Sequence, residues 1–430
     1  MHSKLKTKNS TRSRGEHSAK RARLAHRWID RAQRQLLDFT KRFCAIATVN
    51  PPGNRYLECV RFLDRKLRSM GLQTRILRVP RKVQAKLVPG LDAYPRYNLV
   101  ARWDVGAKKT LHFSGHYDVV PPTSGWKSDP FVPLVRGRKL IGRGSVDMKS
   151  CDAAAIFAVQ ALKEQGLVPP WNIELSLTAD EETGGYAGLG WLVKSGAIRP
   201  DAAVLCEGGS GDCLGYAHRG VLWLKLTVIG KPGHASNPKN GINALEKACA
   251  LIRELKRLEA LYATRRSAFL GGPVARRPTL MIGGVSGGGG KVNTIPDRFS
   301  FSIDRRLLPE EKLAQVKAEF MRVIRRAQRK DRELRVKVEY PLYVAPGWTD
   351  RDARICRIAK AAHQAVTGRR SHYRMCGGFT DMHWLTRNGR VPTIGYGTAG
   401  GGAHGDLEFV VIPSIVETAK IYAEIAMRME

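Results

Sequence analysis

Short apolar runs alternate with longer amphipathic stretches through the first half of the chain. The runs predict strands near 73–79, 97–103, 110–115, 173–178 and 202–206, and the stretches predict helices at 56–70, 150–165 and 186–195. Strands that alternate with helices in this way favour a sheet with helices packed on both faces. We therefore predict an α/β fold in which residues 19–215 and 343–430 form a three-layer α/β domain.

The pattern changes near Tyr216. Strands are predicted at 221–229, 278–283, 299–305 and 335–340, and helices at 244–261 and 310–330. This β-α-β-β-α-β order is that of the ferredoxin-like motif. We therefore predict an inserted ferredoxin-like α+β domain over residues 216–342, with a flexible glycine-rich loop at 283–290.

Length and composition limit the classes of protein that the chain can form. It has 430 residues, 43% of them hydrophobic, which is enough for two domains with substantial cores. No apolar run approaches the ~20 residues of a membrane span, so we expect no membrane partner. The eight cysteines are scattered and no secretory signal is visible. We therefore expect reduced thiols and a cytoplasmic location.

The chain is strongly basic. Its net charge is +35, and the first 35 residues hold 11 Lys or Arg against two acidic residues. We predict a disordered basic tail over residues 1–18, followed by an amphipathic helix at 20–46. A basic surface can attract nucleic acid or anionic lipid. Because no RNA-binding motif is present, we expect a general basic bias and no nucleic-acid partner.

Ionisable residues follow the predicted strands at the points where the strands end. His116 lies just beyond the strand at 110–115 and two residues before Asp118, whose carboxylate could accept the second imidazole N–H. The alternative is a His–Asp pair in a turn. His112, within the strand, is either a satisfied core histidine or a functional one.

Adjacent carboxylates end another alternating strand. Glu181 and Glu182 follow residues 173–178, and neighbouring negative charges repel each other unless a cation holds them. One interpretation is a solvated loop. The other is a metal that takes one carboxylate while the second stays free as a base.

Three further donors follow strands or glycine-rich segments. Asp147 follows a glycine-rich turn, where it could also be an N-cap, although Asp152 suits that role better. Glu207 ends the strand at 202–206, and His404 follows a glycine-rich stretch. Sites in α/β sheets form at the carboxyl ends of strands. Two histidines with three carboxylates suit a borderline metal such as zinc, and one carboxylate could bridge two ions.

Seven motifs give the chain a resemblance to the co-catalytic zinc amidohydrolases, the family that includes acetylornithine deacetylase, succinyl-diaminopimelate desuccinylase, aminoacylase and glutamate carboxypeptidase. The resemblance covers roughly Val49 to Val411. Ser150 and Leu407 depart from the Gly and Asn that are usual in the family. The motifs, in order, are His116–Pro121, Gly142–Lys149, Asp180–Glu182, Gly233–Pro238, Val292–Pro296, Asp304–Arg306 and Ala403–Glu408.

The resemblance implies a role for each candidate in the larger domain. Glu181 would be the general base, and Asp118 would orient a histidine ligand. The peptide bond that follows Asp147 would be cis. Two ions would share Asp147 as a bridging ligand, with His116 and Glu207 on one ion and Glu182 and His404 on the other.

The resemblance also implies that the inserted domain contributes to substrate binding. His234 resembles the family histidine that reaches a neighbouring subunit's site and polarises the substrate carbonyl. Asn293 and Arg306 resemble the binders of the substrate carboxylate, and we name Thr380 as a further candidate for substrate binding. The inserted domain would then be a dimerisation (lid) domain, and the protein a homodimer.

Together these observations predict a zinc-dependent amidohydrolase. Its reaction would be hydrolysis of the amide bond of an N-acylated amino acid at a centre of two Zn²⁺, with Co²⁺ or Mn²⁺ as substitutes. Water deprotonated by Glu181 would attack the amide carbonyl. A dipeptidase or carboxypeptidase with the same metals is the alternative among enzymes. A non-catalytic anion- or RNA-binding protein is the alternative from another class, and the intact set of ligands and base speaks against it.

Overall fold

The computed structural model describes residues 22–429, and the tail predicted at 1–18 lies outside the described residues. The described chain forms two compact units. The larger unit runs to Tyr216 and continues over Trp348–Arg374 and from Thr380, and the smaller unit contains Ala217–Gly347 and Met375–Phe379. The smaller unit therefore extends five residues beyond the predicted insertion of 216–342, to Gly347, and also includes the separate segment Met375–Phe379.

Strands and helices alternate through most of the described chain. The strands are β1 (Gln73–Arg78), β2 (Tyr97–Trp103), β3 (Thr110–His116), β4 (Leu134–Arg136), β5 (Lys139–Ile141), β6 (Asn172–Thr178), β7 (Ala202–Leu205), β8 (Cys213–His218), β9 (Gly220–Ile229), β10 (Thr279–Gly288), β11 (Arg298–Leu307), β12 (Arg335–Val344), β13 (Gly347–Trp348), β14 (His372–Cys376), β15 (Thr393–Gly395), β16 (Gly400–Gly401) and β17 (Phe409–Val411).

Residues 22–31 are helical and precede the first complete helix. The complete helices are α1 (Gln33–Cys44), α2 (Tyr56–Ser69), α3 (Arg81–Leu87), α4 (Ser150–Glu164), α5 (Leu189–Lys194), α6 (Ala244–Lys256), α7 (Leu258–Ala263), α8 (Leu313–Lys330), α9 (Arg354–Thr367) and α10 (Ile412–Met427). Within residues 22–429 there is no helix with the length and hydropathy of a membrane span.

The larger unit is built around a mixed sheet in the order β1-β2-β6-β3-β7-β15-β8-β13, with β14 paired to β8. Strand β3 is parallel to β6 and β7, and β15 is parallel to β7. Every residue of β3 and β6 is buried, as expected for parallel strands that are covered on both faces. The carboxyl ends of four parallel strands therefore point to the same edge of the sheet.

Helices cover both faces of this sheet. Helix α4 buries twelve of its fifteen residues, and it packs against α10 and β3. On the opposite face, Leu189 and Leu192 of α5 pack with Val100 and Ala203 of the sheet. This confirms the predicted three-layer α/β fold.

The smaller unit contains a four-stranded antiparallel sheet in the order β10-β11-β9-β12. Alternate residues of β9, including Leu222, Leu224 and Leu226, point into a core that α6 and α8 complete. Because the elements follow one another as β-α-β-β-α-β, this confirms the predicted ferredoxin-like arrangement.

Two local predictions in the smaller unit are wrong. Most of the loop predicted at 283–290 is strand, because β10 continues to Gly288 with an irregular pairing between Ile282 and Ser286. Gly283 has φ +91°, a conformation that a glycine adopts without strain and that allows the irregularity. The helix predicted at 244–261 is divided at Arg257 into α6 and α7.

Candidate metal centre

Five candidate ligands lie close to the edge of the central sheet where its parallel strands end. His116 is the last residue of β3, and Glu207 comes two residues after β7. Glu182 lies in the single helical turn that follows β6, and Asp147 lies in the turn that precedes α4. His404 lies between β16 and β17. Parallel strands that end side by side bring residues of distant sequence to one place.

The structure brings these five residues together in two overlapping groups. One donor atom from each of His116, Asp147 and Glu207 lies within 4.8 Å of the others, and the same holds for Asp147, Glu182 and His404. Asp147 belongs to both groups. A carboxylate that is shared between two three-residue groups has the placement needed to bridge a pair of metal ions.

The two oxygens of Asp147 face different histidines. Asp147 Oδ1 is 3.4 Å from His116 Nε2, and Asp147 Oδ2 is 3.2 Å from His404 Nε2. His404 Nε2 also lies 3.0 Å from Glu182 Oε2. The peptide bond between Asp147 and Met148 is cis, which confirms what the resemblance implied.

Burial and mutual repulsion shift the proton affinities of these groups. Burial, and then the nearby Glu207 carboxylate, raises the pKa of Glu181 well above its ordinary value. Burial and the neighbouring Asp147 raise the pKa of Glu182 to about 7. Hydrogen bonds to Asp147 and Glu182 raise the pKa of His404 to about 10. A divalent cation among these groups would balance the negative charge in place of the protons.

Several donor atoms of the cluster have no hydrogen-bond partner among residues 22–429. They are the buried atoms His116 Nε2, Glu182 Oε1 and Glu207 Oε1. A buried polar atom without a partner costs about 1–3 kcal/mol, so atoms of this kind that converge on one place need another explanation. Imidazole and carboxylate donors in this number fit a pair of zinc or similar divalent ions.

Asp118 holds the turn that carries Glu181 and Glu182. Its Oδ1 accepts the backbone N–H of Glu181 at 3.2 Å, and its Oδ2 accepts that of Glu182 at 3.3 Å. His116 Nδ1 lies 3.0 Å from the backbone carbonyl oxygen of Asp118 and 3.5 Å from its Oδ1. The main chain of Asp118 therefore makes the shorter contact with the imidazole, and Nε2 is left facing Asp147.

A second buried carboxylate supports Asp147, and sequence reasoning missed it. Glu408 accepts the backbone N–H groups of Gly144 at 3.0 Å, Val146 at 3.0 Å and Asp147 at 3.1 Å. It also pairs with Arg143 at 2.7 Å. Its place four residues after a candidate ligand was the available signal in the sequence.

Two other buried acids lie near the cluster. Asp152 is not the N-cap that the sequence favoured, because it lies inside the first turn of α4. Both of its carboxylate oxygens lack a hydrogen-bond partner in the described chain, and burial raises its pKa well above the ordinary value. Asp381 was not among the candidates, and burial raises its pKa to about 8.

The candidates for substrate binding lie in both units. In the smaller unit, His234 and Asn293 are exposed and lie on neighbouring segments that a β-bridge joins. Arg306, on β11, is held by the two oxygens of Asp304 at 2.7 and 2.9 Å. A substrate carboxylate would therefore compete with Asp304 for this guanidinium. Thr380 belongs to the larger unit and is buried.

The fold and the two groups of clustered donors define a metal-dependent hydrolase. The chain belongs to peptidase family M20/M25/M40, because the sequence model of that family matches residues 112–428. It is 30% identical over 321 residues to a succinyl-diaminopimelate desuccinylase from Rhizorhabdus wittichii, an alignment that covers 73% of this chain and 80% of that protein. It is 28% identical over 354 residues to an uncharacterised metallohydrolase from Methanocaldococcus jannaschii, covering 78% and 85% of the two chains.

Solved structures of several peptidases have a similar fold. The dipeptidase Dug1p from Saccharomyces cerevisiae aligns with a TM-score of 0.77 at 18% identity, over 94% of this chain and 98% of that one. Human carnosine dipeptidase 1 aligns with a TM-score of 0.73 at 20% identity, over 94% and 99% of the two chains. A dinuclear metal-binding M20 peptidase from Bacillus subtilis aligns with a TM-score of 0.63 at 14% identity, over 93% and 98%. At these identities the similarity is one of fold.

Proposed function

We propose that the protein hydrolyses the amide bond of an N-acylated amino acid at a di-zinc centre. The observation that carries this proposal is the pair of three-residue donor groups that share Asp147. Relatives named succinyl-diaminopimelate desuccinylase, at 30% identity, support an N-acyl amino acid as the substrate class. The dipeptidases support cleavage of a dipeptide less strongly, since they share the fold at 20% identity or below.

In this proposal the two ions are held by the two donor groups. When bound, they would supply Lewis acidity to the scissile carbonyl and to the attacking water. The first ion is assigned to His116, Asp147 and Glu207. The second is assigned to Asp147, Glu182 and His404.

Glu181 suits the role of general base. It belongs to neither donor group, yet its Oε2 lies 3.9 Å from His116 Nε2 and the residue is 5% exposed. Its raised pKa favours acceptance of a proton from water, and the same carboxyl group can then give that proton to the leaving amine. Asp118 keeps this residue in place through the backbone N–H of Glu181.

Residues of the smaller unit are assigned to the substrate, together with Thr380. His234 would polarise the substrate carbonyl, and Asn293 would bind the substrate carboxylate. Arg306 would bind the same carboxylate, because its planar guanidinium matches a carboxylate with two hydrogen bonds. We further propose a homodimer through the smaller unit, in which each copy supplies His234 to its partner's site.

Turnover and metal content test the chemical proposal together. The zinc-loaded protein would be assayed with N-succinyl and N-acetyl amino acids and with unmodified dipeptides, and its zinc measured by mass spectrometry. We expect about two zinc ions per chain and hydrolysis of the N-acyl amino acids. Preferential hydrolysis of dipeptides would favour the alternative substrate class. A folded, zinc-loaded protein that hydrolyses neither class would contradict the proposal.

Mixed dimers test the shared site. Glu181→Gln chains and His234→Ala chains would each be inactive alone and would be mixed under conditions that exchange subunits. If each site draws on both chains, a heterodimer has one site with both defects and one with neither, so activity should return. No recovery after demonstrated exchange would show that His234 does not act across the dimer.

A further inference from the structure

One side-chain amide contacts three side chains at the turn that carries Glu181. Asn50 precedes α2, is 1% exposed, and donates its backbone N–H to the carbonyl oxygen of Val119 at 2.8 Å. Its Nδ2 lies 2.9 Å from Asp118 Oδ2, 3.2 Å from Asp180 Oδ1 and 3.3 Å from Thr183 Oγ1. Because an amide nitrogen carries only two N–H groups, the two shorter contacts, both to carboxylates, are its main hydrogen bonds.

These two carboxylates flank the turn that carries Glu181. Asp180 precedes Glu181 directly in the chain. Asp118 accepts the backbone N–H groups of Glu181 and Glu182. Displacement of either carboxylate would therefore shift the main chain of Glu181, and its side chain with it.

Asn50 also keeps two like charges close together. Asp118 and Asp180 are fully buried, and one amide nitrogen lies within hydrogen-bond distance of both carboxylates. Arg96 Nε donates to Asp180, at 2.9 Å from Oδ2 and 3.1 Å from Oδ1, and so balances its charge. The Tyr56 hydroxyl donates to Asp180 Oδ1 at 3.1 Å. Among the described residues, Asn50 is the one side chain that donates to both carboxylates.

We infer that Asn50 is a positioning residue for hydrolysis: its amide ties Asp118 to Asp180 and so holds the Glu181 carboxylate where it takes the proton from water. The inference rests on the proposed function, in which Glu181 is the general base. Asn50 lies outside both donor groups. Its removal should therefore lower kcat and leave KM and zinc content close to those of the wild type.

The test compares Asn50→Ala with a matched variant, Asn172→Ala. Asn172 is also 1% exposed, but it begins β6 at the strand end opposite to the site. Its Nδ2 donates to the carbonyl oxygen of Ala107 at 2.7 Å, and its Oδ1 accepts the N–H of Val105 at 2.9 Å. Both variants therefore lose a buried amide that fastens a loop, and only one of these loops belongs to the site.

We expect the kcat of Asn50→Ala to fall about 10–100-fold, the usual cost of losing a residue that orients a metal-site group. The kcat of Asn172→Ala should stay close to the wild-type value. Wild-type kcat in folded Asn50→Ala, loss of zinc from it, or an equal loss of kcat in both variants would overturn the inference. Absence of turnover in the wild type would overturn the proposed function itself. Failure of the proposed function can therefore be told apart from failure of the inference on Asn50, which is judged only when the wild type is active.

Asn50→Asp supplies a readout that a purely structural role would not move, and it remains informative if Asn50→Ala does not fold. The introduced carboxyl group would face Asp118, Asp180, Arg96 and Tyr56, and it can donate to Asp118 only while it is protonated. Its kcat relative to the wild type should therefore rise as the pH is lowered. A ratio that stays far below one and does not change with pH would overturn the inference.

Discussion

Strand β3 carries two buried histidines four residues apart, His112 and His116, and their side chains face the same side of the sheet because alternate residues of a strand do so. Both imidazoles lie beside carboxylates. His112 Nδ1 is 2.9 Å from Glu174 Oε1, and its Nε2 is 2.8 Å from Ser176 Oγ. Both nitrogens of His112 thus have a partner inside the protein, and it is the satisfied core histidine that was one of the two interpretations of the sequence.

His116 differs in what remains unpaired around it. One ring nitrogen contacts the carbonyl oxygen of Asp118, whereas Nε2 lacks a hydrogen-bond partner among the described residues and faces the carboxylates of Asp147 and Glu181. We call His112, Glu174 and Ser176 the closed cluster, because both ring nitrogens of His112 have a partner. We call the five candidate ligands and Glu181 the open cluster, because several of its buried polar atoms have no hydrogen-bond partner among the described residues. A histidine beside a carboxylate is therefore not by itself evidence of a functional site. Buried polar atoms that lack hydrogen-bond partners and converge on one place are such evidence.

The largest expected effect comes from removing a carboxylate of the open cluster that is not a proposed ligand. Glu181→Gln should lower kcat by about 10²–10⁴-fold, the typical contribution of a general base, while both metal ions stay bound. Turnover and metal content would be measured on the same preparation. Glu174→Gln, in the closed cluster, is the control and should keep its turnover. Near wild-type turnover in metal-replete Glu181→Gln would refute the assignment.

The two histidines themselves give the next largest contrast. His116→Gln should weaken metal binding by on the order of 100-fold or more, since even residues that only support a ligand contribute 10–100-fold. His112→Gln should bind metal normally but unfold more easily, by about 1–3 kcal/mol, because it leaves Glu174 and Ser176 without their partner. Metal titration and urea unfolding separate the two effects. Equal metal affinities in the two variants would remove the distinction between the clusters.

Acid should weaken metal binding at the open cluster. The pKa of Glu182 is raised to about 7 and that of His404 to about 10, so both groups carry protons that a metal ion must displace below these values. Affinity should thus fall as the pH is lowered from 8 to 6, by up to about tenfold per pH unit for each proton displaced. Zinc titrations at several pH values would show this. A pH-independent affinity would contradict it.

The smallest expected effect concerns a third His–carboxylate pair, His26 with Glu424 at 3.2 Å, in which Arg428 also contacts Glu424. Burial acts to raise the pKa of Glu424, but the contacts with His26 and Arg428 outweigh it, so the pKa is lowered. Glu424→Gln should therefore lower the free energy of unfolding by about 1 kcal/mol at pH 7, with kcat unchanged. Because the pKa of Glu424 in the folded state lies below its unfolded value of about 4.3, the ionised carboxylate stabilises the folded state above this pH. This stabilisation is lost as the pH falls through the folded pKa. Unfolding curves at pH 7 and below pH 4 should show the difference shrinking.

The larger elements of the fold were predictable because they carry a regular pattern of burial. Strand β9 alternates buried leucines with exposed residues from Leu222 to Leu226, and its predicted bounds agree with the structure to within a residue. Helix α3 was missed because Gln84 is its one buried residue, so no apolar period marks it. Two other features were missed for a related reason. The strand at 283–288 is rich in glycine and so shows no alternation of apolar and polar residues. The division of the helix near Arg257 is a single break that leaves the apolar period on either side unchanged.

The candidate ligands were also accessible from the sequence, because each follows a strand or a glycine-rich turn and fits a motif of the family. Of the residues that support them, Asp118 was also predicted, but the hydrogen bonds of Asn50 and Glu408 were not. Asn50 reaches Asp118 across 68 positions, and Glu408 reaches Asp147 across 261. Contacts of this length depend on the completed fold, and a lone Asn before two prolines carries no local sign of its partners.

The hydrogen bonds from the turn of Asp147 to Glu408 link residues 144–147, in the first half of the chain, to residue 408 in its last portion. A growing polypeptide acquires His116, Asp147 and Glu207 early, but it acquires His404 and Glu408 only when nearly all of it has been synthesised. The shared carboxylate is therefore fixed in place at the end of folding. Binding of the proposed metal ions would then depend on completion of the larger unit, and a chain that stops short of Glu408 would lack the hydrogen bonds that hold the turn of Asp147.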